Sequence, residues 1–404
     1  YPYTLAIGQS LVIIYPQQTY TVQEGDTLLS IANAHNVTIL QLIQNNPTII
    51  ERGYISPGEI IVISYPKRGT ITIHGTAAPY INRNTLINTL PYLTYLSLLN
   101  YTVTEEGNIT TYYDETEVIQ LAKEYGVMPL MLITTLSIQG ETNISTLYDL
   151  LLNEDYQTNL AVNIINILKE KGYYGINLAF DYISVSNLNY IEDFIAKLTS
   201  QVNEEGYEVF ITINPNITSS GNEIRFAIVD YTQLNSLANT INFVNFEWAT
   251  NINPPSPVSS IQNISVFLSY ILNYISADKI IAGLATIGFD WALPFLPGIS
   301  EVHSVTSNNA INLAKSVGAA IQFDEVSQTP FFRYSRVHNG YTIDHIVWFI
   351  DARSINALLD LVYDNSLRGV IIWNIISYNA QLWSIINSQY DIDKITQDEY
   401  RPTP

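Results

Sequence analysis

The residue with the clearest catalytic potential ends an apolar run near the middle of the chain. Residues 172–182 read G-Y-Y-G-I-N-L-A-F-D-Y, a pattern that predicts a buried strand over 175–180 with Asp181 directly after it. Side chains alternate along a strand, so Asp181 and Ala179 share one face. A carboxyl group at a strand end can act as a general acid. The alternative is a structural carboxylate bonded to neighbouring N–H groups.

The elements around this run alternate between short β-branched segments and segments of helical period. Eight strands with helical crossovers within residues 69–400 predict a (β/α)8 barrel, an α/β fold whose chemistry lies at the carboxyl ends of the strands. The connection at about 288–346 is too long for one crossover and predicts a small α+β insertion. Alternation alone also allows an open doubly wound sheet, but no glycine-rich phosphate loop follows a strand. The predicted strands are 70–74, 95–100, 127–133, 175–180, 208–213, 243–246, 279–284 and 369–373.

The N-terminal region contains a separate unit at 18–63. A strand at 20–22, a turn and helix cap at 25–27, a second helix at 37–43 and a closing strand at 60–63 predict a βααβ domain. Residues 1–14 resemble the closing part of this unit. We therefore expect them to be the last strand of a truncated earlier copy, in a chain that begins inside a larger product.

The unit at 18–63 resembles a LysM module, with Y-T-V-Q-E-G-D-T-L and N-N-P at the expected places. The resemblance implies a shallow groove for N-acetylglucosamine between two loops, and the alternative is a packing unit without a ligand. The implied contact residues are Gly25, Asp26, Thr27, Leu28, Pro47, Thr48, Ile49 and Ile50.

The run at 172–182 resembles the fourth-strand signature of glycoside hydrolase family 18, D-x-x-D-x-D-x-E. It is most similar to the LysM-bearing branch that trims peptidoglycan fragments of the spore cortex. Further blocks support the resemblance along most of the chain. They lie at 93–96, 129–131, 289–291, 293–294, 327–334, 347–349, 351–354, 367–369 and 373.

The resemblance also implies a mechanism that this chain does not match. In the family the substrate's acetamide oxygen attacks the anomeric carbon, a glutamic acid protonates the leaving oxygen, and an aspartate two residues earlier orients the acetamide. A tyrosine of the sixth strand donates to the acetamide carbonyl. The corresponding residues here are Asp181 at the acid position, Ala179 and Phe246. We therefore expect a degenerate site.

For the other residues that are candidates for contact with a sugar, a purely structural role is an equally weighted alternative. Glu247 and Asp290 can brace the barrel rim, and Trp248, Trp291 and Trp373 can stack on a sugar or pack in the core. The five histidines show no paired metal-ligand spacing, so we predict no metal and no cofactor. Zero cysteines exclude disulfides and thiol catalysis.

Charge and composition restrict the partners. A net charge of −20 repels phosphate backbones and anionic lipid, and no apolar run reaches the ~18–20 residues of a membrane span. The 29 tyrosines exceed the 17 lysines and arginines, a composition that favours wet contact surfaces and predicts a homo-oligomer or polymer.

Together these observations predict a catalytically inactive protein of the spore coat, spore surface or extracellular envelope. Its role would be structure, self-assembly or attachment to an N-acetylglucosamine glycan such as peptidoglycan. The alternatives are an active peptidoglycan N-acetylglucosaminidase that uses Asp181, and a glycan-binding lectin that does not assemble.

Overall fold

The computed structural model describes residues 5–134, 144–180, 186–215, 217–220, 223–244, 254–338 and 340–394. The strands are β1 Gln18–Thr21, β2 Ile60–Ser64, β3 Thr70–Ala77, β4 Tyr95–Val103, β5 Ile109–Thr111, β6 Met128–Thr134, β7 Gly175–Phe180, β8 Glu208–Ile213, β9 Thr218–Ser220, β10 Glu223–Arg225, β11 Thr240–Phe243, β12 Ile280–Ala285, β13 Ile287–Leu293, β14 Val302–Thr306, β15 Gln322–Asp324, β16 Thr329–His338, β17 Tyr341–Trp348, β18 Gly369–Trp373 and β19 Asp391–Ile392. The α-helices are α1 Leu28–His35, α2 Ile39–Asn45, α3 Thr48–Arg52, α4 Arg83–Thr89, α5 Thr116–Glu124, α6 Ile144–Leu152, α7 Glu154–Lys171, α8 Leu188–Glu204, α9 Thr232–Leu237, α10 Ile261–Ile271, α11 Ser307–Ser316, α12 Ala352–Asp364 and α13 Ala380–Gln389.

Eight parallel strands close into a barrel. Their order around the barrel is β3, β4, β6, β7, β8, β11, β12 and β18, and β18 pairs with β3 to complete the circle. The prediction of a (β/α)8 barrel is confirmed. The open doubly wound sheet is excluded because both edges of the sheet are paired with each other.

The sixth barrel strand lies three residues earlier than the sequence predicts. It is β11 at Thr240–Phe243 rather than 243–246. Ile241 and Phe243 join the core outside the barrel, and Asn242 points into the barrel. The alternation of apolar and polar side chains therefore begins before the segment that the sequence pattern favours.

The insertion forms a separate antiparallel sheet. Strands β14, β13, β17, β16 and β15 are hydrogen-bonded in that order, and α11 covers one face with Ala310 and Ala314 against Phe332 and Val347. Its strands span 287–348, and the sequence analysis placed the insertion at about 288–346.

The N-terminal unit pairs β1 with β2 antiparallel around three helices. Thr27 caps α1 by accepting a hydrogen bond from the Ser30 N–H at 3.0 Å, as its sequence position predicts. The segment at 47–50 is not a loop, because it forms Pro47 and the start of the short helix α3.

The N-terminal segment 5–15 packs against the insertion. Ala6 is buried in the core of the insertion, and the Ile321 N–H donates to the Ile7 carbonyl at 2.8 Å. The described part of 1–14 forms no strand. Its origin as the end of an earlier LysM copy remains a prediction.

Candidate active site inside the barrel

Ala179 lies on the inner face of β7 at its carboxyl end. Its neighbours Leu178 and Phe180 belong to the core outside the barrel, and Ala179 pairs in register with Thr212 of β8. Its methyl group therefore occupies the inner-face position at which the resemblance places the orienting carboxylate. The other residues predicted for the reaction or for the adjacent rim, Asp181, Phe246, Glu247 and Trp248, lie outside the described residues.

Asn177, two residues earlier on β7, belongs to a closed ring of hydrogen bonds that five buried polar side chains form across five strands. Ser97 Oγ lies 2.7 Å from His74 Nε2, and Asn177 Nδ2 donates to Ser97 Oγ at 3.0 Å. Thr212 Oγ1 donates to Asn177 Oδ1 at 2.8 Å, and Asn242 Nδ2 donates to Thr212 Oγ1 at 3.0 Å. The fifth contact joins His74 Nδ1 and Asn242 Oδ1 at 3.3 Å.

The partners fix the proton positions in this ring. Asn242 Oδ1 can only accept, so His74 must carry its proton on Nδ1 and accept the Ser97 hydroxyl proton at Nε2. Each member then donates once and accepts once around the ring, an arrangement in which hydrogen bonds polarise and strengthen one another. Burial lowers the pKa of His74 to about 3, against the opposing effect of its hydrogen bond to Asn242. The imidazole is therefore neutral at neutral pH.

The ring makes the middle of the barrel polar but uncharged. Among the described inward-facing residues, charge lies at the opposite, amino-terminal end of the strands. There Arg368 donates to Thr240 Oγ1 at 2.6 Å and to the Tyr95 hydroxyl at 3.1 Å, and the Tyr174 hydroxyl donates to Glu208 at 3.0 Å. The layer directly below Ala179 offers amides, hydroxyls and a neutral imidazole, which can orient a group but cannot balance a positive charge.

The predicted aromatic contacts separate into two environments. Trp291 is 2% exposed and belongs to the main core, and the centroid of its ring lies 5.8 Å from that of Phe289. Trp373 is half-buried at the carboxyl end of β18, at the mouth of the barrel. Asp290 braces the insertion, where it accepts hydrogen bonds from the Tyr334 hydroxyl at 2.6 Å and from His345 Nδ1 at 3.0 Å.

The predicted groove residues of the LysM unit also divide. Gly25, Thr27 and Thr48 are exposed, and Leu28, Pro47 and Ile50 are half-buried. The carboxylate of Asp26 closes the first loop, because it accepts from the Tyr20 hydroxyl at 2.9 Å and the Gln23 N–H at 2.7 Å. Ile49 is 2% exposed within the LysM core. The Ile49 side chain therefore packs inside the domain and does not line the predicted groove.

Sequence reasoning did not identify the ring. It grouped His74 with the other histidines, which show no paired metal-ligand spacing, and assigned no role to Asn177. A usable signal was present, since in each of the five strands the ring residue stands between two apolar or glycine neighbours that face the other side. Within the described residues, no group of three or more His, Asp or Glu side chains could hold a metal ion. Over the same residues, no helix has the length and apolarity needed to cross a bilayer.

Comparison with known proteins agrees with this architecture. The crystal structure of the spore cortex-lytic enzyme SleL of Bacillus megaterium QM B1551 superposes with a TM-score of 0.77 at 28% identity, over 97% of this chain and 91% of that one. The Bacillus cereus spore cortex-lytic enzyme SleL gives the same score and coverage at 25% identity. The cortical fragment-lytic enzyme of Bacillus subtilis (strain 168) is 27% identical over 76% of this chain and 70% of its own length.

Two family models match the chain. The LysM domain model matches residues 20–64, and the model of glycosyl hydrolases family 18 matches residues 80–377. The second match covers most of the chain and coincides with the barrel and its insertion. The chain therefore belongs to glycosyl hydrolases family 18 and carries an N-terminal LysM domain.

Proposed function

We propose that this protein binds N-acetylglucosamine-containing glycan in the spore or cell envelope without hydrolysing it, and that its barrel serves attachment and structure. The observation that carries the proposal is Ala179 at the inner carboxyl end of β7. A methyl group neither accepts a hydrogen bond from an acetamide N–H nor stabilises the positive charge that develops on the sugar.

We expect the missing carboxylate at position 179 to lower the rate of hydrolysis strongly. Removing one group that stabilises developing charge typically costs about 100- to 1,000-fold in kcat. The ring beneath Ala179 supplies no replacement, because its donors and acceptors are bonded to one another and none of its members is charged. The sequence adds the shorter acid Asp181 and the missing hydroxyl at Phe246.

A second candidate function is hydrolysis of peptidoglycan fragments by an N-acetylglucosaminidase activity. It is favoured by the names of the relatives, a cortical fragment-lytic enzyme and spore cortex-lytic enzymes, which match over most of this chain. In this alternative Asp181 is the general acid and another carboxylate replaces the one missing at Ala179.

Incubation with muropeptides and with N-acetylglucosamine oligomers distinguishes the two functions. We expect no cleavage product by mass spectrometry from the unmodified protein, although the same oligomers bind. Hydrolysis that disappears in Asp181→Asn would overturn the proposal. A triple variant with Ala179→Asp, Asp181→Glu and Phe246→Tyr is the positive control, because it restores the groups that the family uses.

Self-assembly is a further part of the proposal. It is supported by the segment 5–15, whose large apolar side chains Leu5, Ile7, Leu11, Ile13 and Tyr15 are all more than half exposed. Electron microscopy and size-exclusion chromatography of the purified protein test this part. Monodisperse monomers at high concentration would contradict it.

A further inference from the structure

The segment 5–16 repeats the sequence of residues 55–66, which close the LysM domain. Fifty positions apart, the two segments read L-A-I-G-Q-S-L-V-I-I-Y-P and I-S-P-G-E-I-I-V-I-S-Y-P. The glycine, the valine, one isoleucine, the tyrosine and the proline are identical at equivalent positions. The repeat predicts the same turn and the same extended strand in both segments.

The turn that begins each segment has the same structure in both. In the first, the Gln9 N–H donates to the Ala6 carbonyl at 3.1 Å, and the Ala6 N–H donates to Gln9 Oε1 at 3.1 Å. In the second, the Glu59 N–H donates to the Ser56 carbonyl at 3.1 Å, and the Ser56 N–H donates to Glu59 Oε2 at 3.2 Å. The glycine inside each turn has a positive φ, 79° in the first and 84° in the second. The turn at 6–9 is therefore a LysM turn in structure as well as in sequence.

The strands that follow the two turns have opposite surroundings. Ile61 and Ile63 are each 1% exposed and belong to the core that α1 and α2 cover. Leu11 and Ile13 stand at the equivalent positions, and their exposed fractions are 58% and 74%. The face that helices cover in one copy therefore faces solvent in the other.

The backbone of the segment is also unpaired where the LysM strand is paired. In the LysM domain Asn46, at the end of α2, donates to the Val62 carbonyl at 2.7 Å and accepts from the Val62 N–H at 2.8 Å. Val12 is the equivalent of Val62, and within the described ranges its N–H and carbonyl have no hydrogen-bond partner. An extended segment with free backbone groups is a template for a further strand.

The start of the segment is anchored on the insertion. The Ile321 N–H donates to the Ile7 carbonyl at 2.8 Å. Gly8 lies so close to the insertion that a Cβ atom there would collide with the Ile321 carbonyl. The exposed apolar face that follows this anchor therefore has a defined place on the molecule.

We propose that residues 5–15 are the closing strand of a second LysM body, which lies directly N-terminal to them in the same polypeptide. This body consists of one strand and its helices, packs on Leu11 and Ile13, and presents an asparagine to the Val12 backbone. The internal repeat identifies this occupant, because the equivalent face of β2 is covered by such a body. A second copy of the chain offers no free body, since its own β2 already completes the LysM domain. Once covered, the segment is unavailable for the self-assembly proposed above.

A chimera supplies the body and tests the inference. Residues 18–54, which contain β1, α1, α2 and α3, replace residues 1–4 and run directly into Leu5, so the spacing of the repeat is kept. Hydrogen–deuterium exchange is measured at a concentration at which the unmodified chain is monomeric. We expect the amides of residues 11–14 to exchange at least about 100-fold more slowly in the chimera than in the unmodified chain. Unchanged exchange in a chimera whose barrel amides keep their protection would overturn the inference.

Addition of the peptide 18–54 to the unmodified chain repeats the test without a new covalent link. The peptide has no closing strand of its own, so we expect it to fold on the segment and to slow the exchange of the same amides at saturation. If neither the chimera nor the peptide protects residues 11–14, the segment is not a LysM closing strand. The readout is neither glycan binding nor assembly, so a failure of the proposed function leaves this test unaffected.

A matched pair of lysine substitutions tests the packing face. Ile13 and Ile299 are 74% and 76% exposed, so neither substitution should affect the unmodified chain. In the chimera, Ile13→Lys places an unpaired ammonium at the position that Ile63 fills in the LysM core, where burial of a charge is unfavourable. We expect Ile13→Lys to return the exchange of residues 11–14 to that of the unmodified chain and Ile299→Lys to leave it slow. Equal exchange in the two variants would refute the packing of the body on this face.

Discussion

Replacing Thr212 by valine should destabilise the barrel, and the same change at Thr76 should not. Both threonines lie on inner faces of barrel strands and are 2% exposed, so the substitution has nearly the same shape in each place. Thr212 accepts from Asn242 and donates to Asn177. The Thr76 hydroxyl is buried and has no hydrogen-bond partner among the described residues.

The magnitude follows from the groups that each variant leaves unpaired. Thr212→Val leaves Asn242 Nδ2 and Asn177 Oδ1 each without one buried partner. At about 1–3 kcal/mol per unsatisfied group, the free energy of unfolding should fall by about 2–6 kcal/mol. Thr76→Val removes a hydroxyl that is already unsatisfied, so its unfolding free energy should be unchanged or slightly higher.

Urea denaturation followed by tryptophan fluorescence measures both variants against the parent protein. We expect a lower midpoint for Thr212→Val at an unchanged slope, since the surface exposed on unfolding is the same. Equal midpoints for the two variants would refute the ring as a set of satisfied hydrogen bonds.

Two further predictions concern buried ionisable groups. The pKa of His74 is lowered by burial to about 3 from an ordinary 6.5. Between pH 6.5 and about 3 only the unfolded chain takes up this proton, so the free energy of unfolding should decrease as the pH falls. In His74→Gln, the urea midpoint should therefore depend less steeply on pH across this range. An unchanged pH dependence would show that His74 is not held neutral. Tyr334→Phe removes one of two donors to the buried Asp290 carboxylate and should cost about 1.5–3 kcal/mol in unfolding free energy. Tyr341→Phe on the neighbouring strand, where the ring is exposed, is its control, and equal losses in the two variants would exclude a special role for the Asp290 contact.

The strand and helix pattern was readable from sequence because burial imposes local periodicities. The strands Gly175–Phe180, Glu208–Ile213 and Gly369–Trp373 match their predicted bounds. The shifted sixth strand and the short helix α3 show where a local pattern fails. A turn or a strand start depends on what packs against it, and a run of four residues does not specify that.

Within the site, the sequence identified Ala179 as a changed position, because the motif around it fixes both the strand and the face on which it lies. The sequence could not identify the ring. His74, Ser97, Asn177, Thr212 and Asn242 span 168 residues of chain, and each is an ordinary polar residue in its own strand. Closing the barrel brings them into contact and sets the direction of every proton in the ring. The sequence alone determined the family, the two domains and the methyl group at Ala179, since these depend on residue identity and local spacing. Only the tertiary structure decided that an uncharged ring of hydrogen bonds fills the middle of the barrel and that the LysM domain contacts Pro91, Tyr92 and Asn387 of the barrel, because both depend on contacts between segments distant in the chain.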